Sequence, residues 1–452
     1  MPESQLLSRT ECQEIFDRAL RAARSQGADD IEVMLGVSDS ALTRFANNAI
    51  HQNVAELRRF LSVRTVVDHR TARASTNRFD DASIREAVEQ SLALTRSSAP
   101  DAELAPMAEP GALIEVNRFC AATARSTPQE RGEWVARAIG VVESARQTAA
   151  GIYSTGQSAE AILNSRGVFG YYAETQAQFS ITAMAGDSSG WAKASAPDCG
   201  EIDPVALARR ASEKAAVSQS PRELAPGRYT VIMEPAAVLD LVGQMFFDFS
   251  ATAIRDQRSF LTGRIGERLF GEGIHITDDV YHALQSGPPF DGEGVPRRRL
   301  ALVEGGVPRE VACSRQEALR DSREPTGHGF PLPNEVGEAP MNIVIQGGGE
   351  SVERMIASTP RGILVTRLWY IREVDPYEKI MTGMTRDGTF LIEDGRLVGG
   401  IRNFRFNQSL IELLRNVEAM SAPERASGEE SFDMVAPAMK VRDFHFSEVT
   451  RF

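Results

Sequence analysis

Between residues 10 and 36 the spacing of apolar side chains changes from a helical period to strict alternation. Ile15, Ala19, Leu20 and Ala23 recur at helical spacing, Thr10 and Gln13 stand at capping-box separation, and Gly27 occupies a C-cap position. From Asp30 onward Ile31, Val33 and Leu35 alternate with Glu32, Met34 and Gly36, the pattern of a strand with one buried face. A one-faced helix next to a one-faced strand buries its apolar side by stacking helix on sheet, so the chain starts as a mixed α and β structure.

The same reading extends along the chain. Strands are expected at Ala41–Phe45, Ala55–Val67 and Thr71–Thr76, with a hairpin turning at Asp68–His69. A helix capped by Asp81 or Ser83 carries Ile84, Val88 and Leu92 on one face. Residues 96–113 lack periodicity and read as a linker. Thr127-Pro128-Gln129-Glu130 combines a capping threonine, a proline at the first helical position and a glutamate at N3, opening a helix to about Gln147. Strands Ala159–Asn164 and Gly170–Met184 follow, joined by Ser165-Arg166-Gly167, and Asp203-Pro204 opens a helix ending near Val217.

Composition shifts at 218–227. Beyond it strand-like runs dominate: Leu300–Val303, Met341–Gln346, Gly362–Ile371, Thr389–Glu393, Arg396–Arg405 and Met439–Phe446, with Asp394-Gly395 as a hairpin turn. The fold class is therefore α+β, an N-terminal mixed helix and antiparallel-sheet region followed by a mostly antiparallel β C-terminal domain. Three segments are expected: 1–112, 113–226 and 227–452.

A chain of 452 residues with 50 basic and 62 acidic side chains carries a formal charge of −12, which argues against a nucleic-acid or anionic membrane surface. No run approaches a membrane span, and Met1-Pro2-Glu3-Ser4-Gln5 has no cationic stretch leading into an apolar one, so no signal peptide is expected. The four cysteines, Cys12, Cys120, Cys199 and Cys313, lack metal or redox spacing, and a reducing, cytoplasmic setting follows.

Chemistry-bearing motifs are sparse. No histidine lies four residues from another, and the nearest pair, His275 and His282, flanks Asp278 and Asp279 in what reads as a solvated polar loop. No Gly-x-Ser-x-Gly elbow occurs. Gln346-Gly347-Gly348-Gly349-Glu350-Ser351 joins a strand to a helix without the lysine of a phosphate-binding loop. Thr326-Gly327-His328-Gly329 is a glycine-flanked histidine, read either as a ligand approach or as a turn with a solvated imidazole.

Several motifs taken in order are similar to the TldD/PmbA family of metallopeptidase subunits. They are Asn164-Ser-Arg-Gly-Val168, Ser259-Phe-Leu-Thr-Gly-Arg-Ile-Gly-Glu267, Phe290-Asp-Gly-Glu-Gly-Val295, Pro325-Thr-Gly-His-Gly329, Ile363-Leu-Val-Thr366 and Phe390-Leu-Ile-Glu-Asp-Gly395. The resemblance implies an elongated subunit that pairs with a paralogue around an enclosed cavity and takes part in hydrolysing small or unfolded peptides, including the maturation of peptide precursors. In the TldD-like branch a His-Glu-x-x-x-His helix and a cysteine near the C-terminus hold zinc. Here the corresponding segment is Pro235–Asp248, ligand positions fall around Val242–Phe247, no histidine occurs between His69 and His275, and the last cysteine is Cys313. These departures resemble the PmbA or TldE branch, which implies no catalytic residue and no metal ligand in this chain, with zinc in a TldD-like partner. The same resemblance marks Thr326, Gly327, His328 and Gly329 as candidates for a substrate-cavity loop. Two other readings stay open: a stand-alone peptide-binding homodimer, and a peptidase using His275, His282 and nearby carboxylates.

Overall fold

The computed structural model describes residues 6–450, so the opening Met1–Gln5, read above for a leader, lies outside the described residues. The chain is mixed α and β, with antiparallel sheets and a β-rich C-terminal part.

Six antiparallel strands form the first sheet: β1 (Asp30–Ala46), β2 (Ala49–Val67), β3 (Arg70–Thr76), β4 (Thr148–Asn164), β5 (Phe169–Ala185) and β6 (Ser188–Ala196). Their order is β3-β2-β1-β4-β5-β6, so residues before and after 113 share one sheet. Tight turns set the register. Asp68 and His69 both take positive φ, the primed geometry that matches strand twist. At the β4–β5 turn the Asn164 carboxamide oxygen accepts from the Arg166 and Val168 amides while Gly167 supplies φ +95°.

One face of this sheet is roofed by helices. Arg9–Ser25 and Asp81–Ser97 cover Ile31, Val33, Leu35, Leu61 and Val63, and Pro128–Ser144 with Pro204–Val217 cover Phe45, Tyr153, Phe179 and Ile181. The caps differ in part from expectation. Ser8 and Glu11 form the first capping box in place of Thr10 and Gln13, and Asp80 caps the second helix in place of Asp81 or Ser83. Thr127 and Glu130 form the expected box, and the helix they open stops at Ser144 because Arg146 takes φ +59°.

The C-terminal region holds two further sheets. Arg361–Asp375 pairs with Gly227–Met233, which pairs with Met439–Val449, then Phe404–Ser409, then Ile380–Glu393, which returns to Arg361–Asp375. Five strands thus close into a ring, with Arg396–Gly400 and Val417–Met420 attached outside the circuit. The expected strand Arg396–Arg405 is broken in two, because Gly399 at φ +145° and the stretch to Asn403 turn the chain between partners. The second C-terminal sheet has six short strands in the order Val307–Pro308, Leu300–Glu304, Ile276–Asp278, Ile343–Ile345, Met434–Ala436, Glu424–Ala426. Between the two sheets lies the main core, in which Phe246, Phe249, Phe260, Phe404, Phe406 and Phe446 are all buried.

Candidate functional site

Two places in the C-terminal region could carry chemistry. The first follows the strand Gly227–Met233. Glu234 is extended, Pro235 takes the first helical position, and the helix Pro235–Val242 tightens into a 3-10 turn over Gly243–Asp248. Val238, Leu239, Leu241, Val242, Met245 and Phe246 are all fully buried against the core. Gly243 has no room for a side chain, since a Cβ would stand 2.2 Å from the Ser431 hydroxyl.

Most polar groups of this segment are engaged, although Asp240 Oδ2 is buried without a hydrogen-bond partner. Asp240 accepts from the amides of Glu429 and Glu430, both at 2.9 Å, and burial above all pushes it up to about 6. The Gln244 amide donates to the carbonyls of Asp240 and Glu430. Asp248 and Glu373 share the Lys379 ammonium. A cleft of about 440 Å3 opens beside them, edged by Phe247, Arg372, Lys379 and Met381, and Phe247 is half exposed in it. A zinc site needs imidazole, thiolate or free carboxylate donors. The residues here do not fit one: they are apolar, or carboxylates held by amides and an ammonium, and the unpartnered Asp240 Oδ2 belongs to no cluster of three His, Cys, Asp or Glu side chains among the described residues.

The second place is the glycine-flanked histidine. Thr326, Gly327, His328 and Gly329 are all buried. Gly327 takes φ +73°, and a Cβ there would meet the Pro296 carbonyl oxygen at 2.2 Å, so the position requires glycine. The His328 ring bonds through Nε2 to Asp278 Oδ1 (3.0 Å) and through Nδ1 to Thr326 Oγ1 (2.9 Å). Burial alone would raise Asp278, but His328, the Arg297 charge and the Asn342 amide together outweigh it and hold the carboxyl below its usual range.

The Gly329 amide donates to Asp291 Oδ2 at 2.7 Å, and the other Asp291 oxygen accepts from Glu293 and Val295. Burial, opposed by these amides, leaves Asp291 raised. Two residues on, Glu293 accepts the Arg315 amide on Oε1, while Oε2 has no hydrogen-bond partner and lies 3.7 Å from the Arg315 guanidinium. Burial, followed by the adjacent Asp291 charge, pushes Glu293 up to about 8. Opposite, on the first sheet, the buried Glu32 holds Arg64 at 3.2 Å and Arg73 at 2.6 Å, and Arg73 donates to the Leu332 carbonyl. This network stitches the C-terminal loops to the sheet and favours the protonated form of the Glu293 carboxyl.

The other sequence candidates stay apart. His275 Nδ1 accepts from the Gly305 amide and His282 Nδ1 from the Leu284 amide. Among the described residues no three His, Cys, Asp or Glu side chains converge as metal ligands. All four cysteines are free. Sequence reasoning missed Asp278, Asp291 and Glu293 as members of the His328 network. Asp291 and Glu293 were marked only by their flanking glycines in Phe290-Asp-Gly-Glu-Gly-Val295, which say nothing of the partner, and Asp278 carried no local signal.

Comparison with known proteins agrees with this architecture along most of the chain. Residues 31–95 match PmbA/TldA metallopeptidase domain 1, 110–219 the central domain and 226–448 the C-terminal domain. A curated relative named a metalloprotease, from Methanothermobacter thermautotrophicus, is 27% identical over 60% of this chain and 61% of its own length. A second metalloprotease, from Methanocaldococcus jannaschii, is 24% identical over 43% of this chain and 44% of its own. The chain thus spans less than two thirds of the curated relatives it matches. Among solved structures, TldE from Thermococcus kodakarensis superposes with a TM-score of 0.86 at 21% identity, covering 96% of this chain and 100% of that one. A putative modulator of a DNA gyrase from Thermotoga maritima gives 0.84 at 20% identity with the same coverage. Those two likenesses are of fold, and with the three matched domains they lead to one conclusion: the chain belongs to the PmbA/TldD family of metallopeptidase-like proteins.

Proposed function

We propose that this chain is the PmbA/TldE-like subunit of a heterodimeric zinc metallopeptidase acting on small or unfolded peptides, with the zinc held by a TldD-like paralogue. The observation that carries the reading is the Pro235–Asp248 segment, where the family resemblance puts zinc ligands and this chain puts a buried apolar helix. Such a segment packs the subunit and contributes no ligand. The chain's part is then to wall the cavity and hold substrate, with cleavage performed across the interface. The Thr326–Gly329 loop would act in this scheme by shaping that wall from within, since its side chains are buried. Peptide precursor maturation in the cytoplasm is the setting that the four free cysteines suit.

The test is elemental analysis and casein or peptide digestion, with the chain alone and after coexpression with a TldD-like paralogue. Zinc and chelator-sensitive cleavage only in the copurified pair is the expected result. Stoichiometric zinc with cleavage by the chain alone would overturn the reading.

A further inference from the structure

Among the described residues four arginines are buried: Arg64, Arg118, Arg131 and Arg367. Arg64 faces Glu32, Arg367 faces Asp387, and Arg118 donates to the carbonyls of Val280, His282 and Gly287. Arg131 differs. It is 1% exposed, yet it has no ion-pair partner among the described residues. Its Nη1 donates to the Ser126 carbonyl and the Thr155 hydroxyl. Its Nε is buried without a partner, and its Nη2 has none among the described residues. Burial lowers its pKa, and Tyr153 and Glu130 oppose that only in part. A guanidinium withdrawn from water without a counter-charge is destabilising, so its place at this depth points to an anion that the chain does not supply.

The surroundings of Arg131 have room for one. Thr127 and Pro128 start the helix Pro128–Ser144, which puts Arg131 and Trp134 three residues apart on one face. Tyr153 and Thr155 come from β4, and the 3-10 turn Cys199–Glu201 closes another side. Between them is a cavity of about 390 Å3, whose lining includes Ala122, Arg131, Trp134, Tyr153 and Ile202. Small-molecule sites commonly have volumes of roughly 300–1,000 Å3. Trp134 is 38% exposed, with the Arg137 guanidinium 4.9 Å from its ring, so the indole offers flat apolar surface to a ligand. Burial above all pushes the Tyr153 hydroxyl up to about 12, which keeps it a neutral donor.

Two carboxylates also border the cavity and limit what it can take. Glu130 accepts from the Thr127 amide and hydroxyl, which hold it below its usual range. Asp203 accepts from the Val205 and Ala206 amides. Both are fixed at helix N-termini. One anionic charge on a ligand can pair with Arg131, whereas a second meets repulsion from these two acids.

We propose that this cavity binds a small aromatic monocarboxylate, its carboxylate on the Arg131 guanidinium and its ring against Trp134. The free acid and the C-terminal phenylalanine of a peptide share that chemistry. The site is built from the N-terminal sheet and its helices, so it stands independently of the peptidase reading.

Calorimetric titration of the full chain with phenylacetate should show saturable binding. Benzyl alcohol, which keeps the ring, and acetate, which keeps the charge, should each bind about tenfold more weakly or worse. Phenyl phosphate should also bind more weakly than phenylacetate, because Glu130 and Asp203 oppose its second charge. Acetyl-glycyl-phenylalanine separates the two sources: tighter binding than phenylacetate assigns the site to a peptide end, weaker binding to a free acid. Arg131→Met should raise the phenylacetate dissociation constant about tenfold or more. That change also removes the Thr155 contact, so Ala122→Phe is the second variant. Ala122 is exposed in the cavity lining, and a ring there fills the space with Arg131 intact. It should abolish binding and leave the unfolding midpoint in place. No phenylacetate binding in the millimolar range, or tighter binding of phenyl phosphate, would overturn the proposal. Undiminished binding to folded Arg131→Met or to Ala122→Phe would overturn it as well.

Discussion

Replacing Glu293 by glutamine should remove most of one proton's worth of pH dependence from the stability of this chain. Glu293 is buried, one of its oxygens has no hydrogen-bond partner, and burial with the neighbouring Asp291 charge moves it from an ordinary 4.5 up to about 8. Because the folded value lies above the unfolded one, the folded chain binds a proton that the unfolded chain has released. Stability from this group is complete below about pH 4.5 and falls as pH rises through the folded value near 8. The slope in that window is about 1.4 kcal/mol per pH unit, so the whole effect is of order 5 kcal/mol. Glutamine keeps the Oε1 acceptor for the Arg315 amide and cannot ionise. Thermal or urea unfolding of wild type and Glu293→Gln at pH 5, 6, 7 and 8 measures the difference in slope for the Glu293–Asp291 pair, since the two carboxyls feel each other and the groups beyond them are common to both. The variant should gain on wild type steadily across the series. Parallel pH profiles would refute the reasoning and mean that Glu293 is ionised in the folded chain.

Three further outcomes follow from the packing. Phe246→Ala empties a fully buried position between Phe249 and the rest of the core, and should cost about 3–5 kcal/mol in unfolding. Glu32→Ala strands two guanidiniums and should cost about 3–5 kcal/mol, whereas Arg64→Met leaves Glu32 paired with Arg73 and should cost less; equal losses would contradict the shared-carboxylate arrangement. Gly327→Ala combines a positive φ with a clash against the Pro296 carbonyl and should lower stability by about 2 kcal/mol or more, read as a drop in the melting midpoint.

The period change at Asp30, the Asp68–His69 turn, the Thr127–Glu130 box and the apolar helix after Met233 could all be read locally, because each is a property of neighbouring residues. The long strands could not. Ala41–Phe45 and Ala55–Val67 were visible as fragments, yet β1 and β2 run as continuous strands of 17 and 19 residues. Their missing parts include Gln52 and Asn53, on an exposed stretch made a strand only by its register with β1. Likewise β4 begins at Thr148, well ahead of Ala159, through Ser154, Gly156 and Ser158, which alternate with the helix-facing Tyr153 and Thr155 and lie on the face without helices. Ser8 and Thr10 both satisfy the capping pattern, and the carboxylate of Glu11 reaches back to the Ser8 amide. The His328 network draws on Asp278 and Asp291, 50 and 38 residues away, and no local pattern reveals pairing at that range.

The closed five-strand circuit has a consequence for how this chain emerges from a ribosome. Gly227–Met233 is the first of its members to be synthesised, and its two neighbours, Arg361–Asp375 and Met439–Val449, arrive more than a hundred and more than two hundred residues later. The six-stranded N-terminal sheet needs nothing beyond Ala196 for its strand pairing and is complete while the rest is still being made. The C-terminal circuit remains open, with unpaired edges and its aromatic core uncovered, until the last strand is released. Non-local closure of this kind is slow and exposes apolar surface meanwhile. Truncation near the C-terminus should therefore harm this half of the molecule far more than the other, since it removes the strand that completes the circuit.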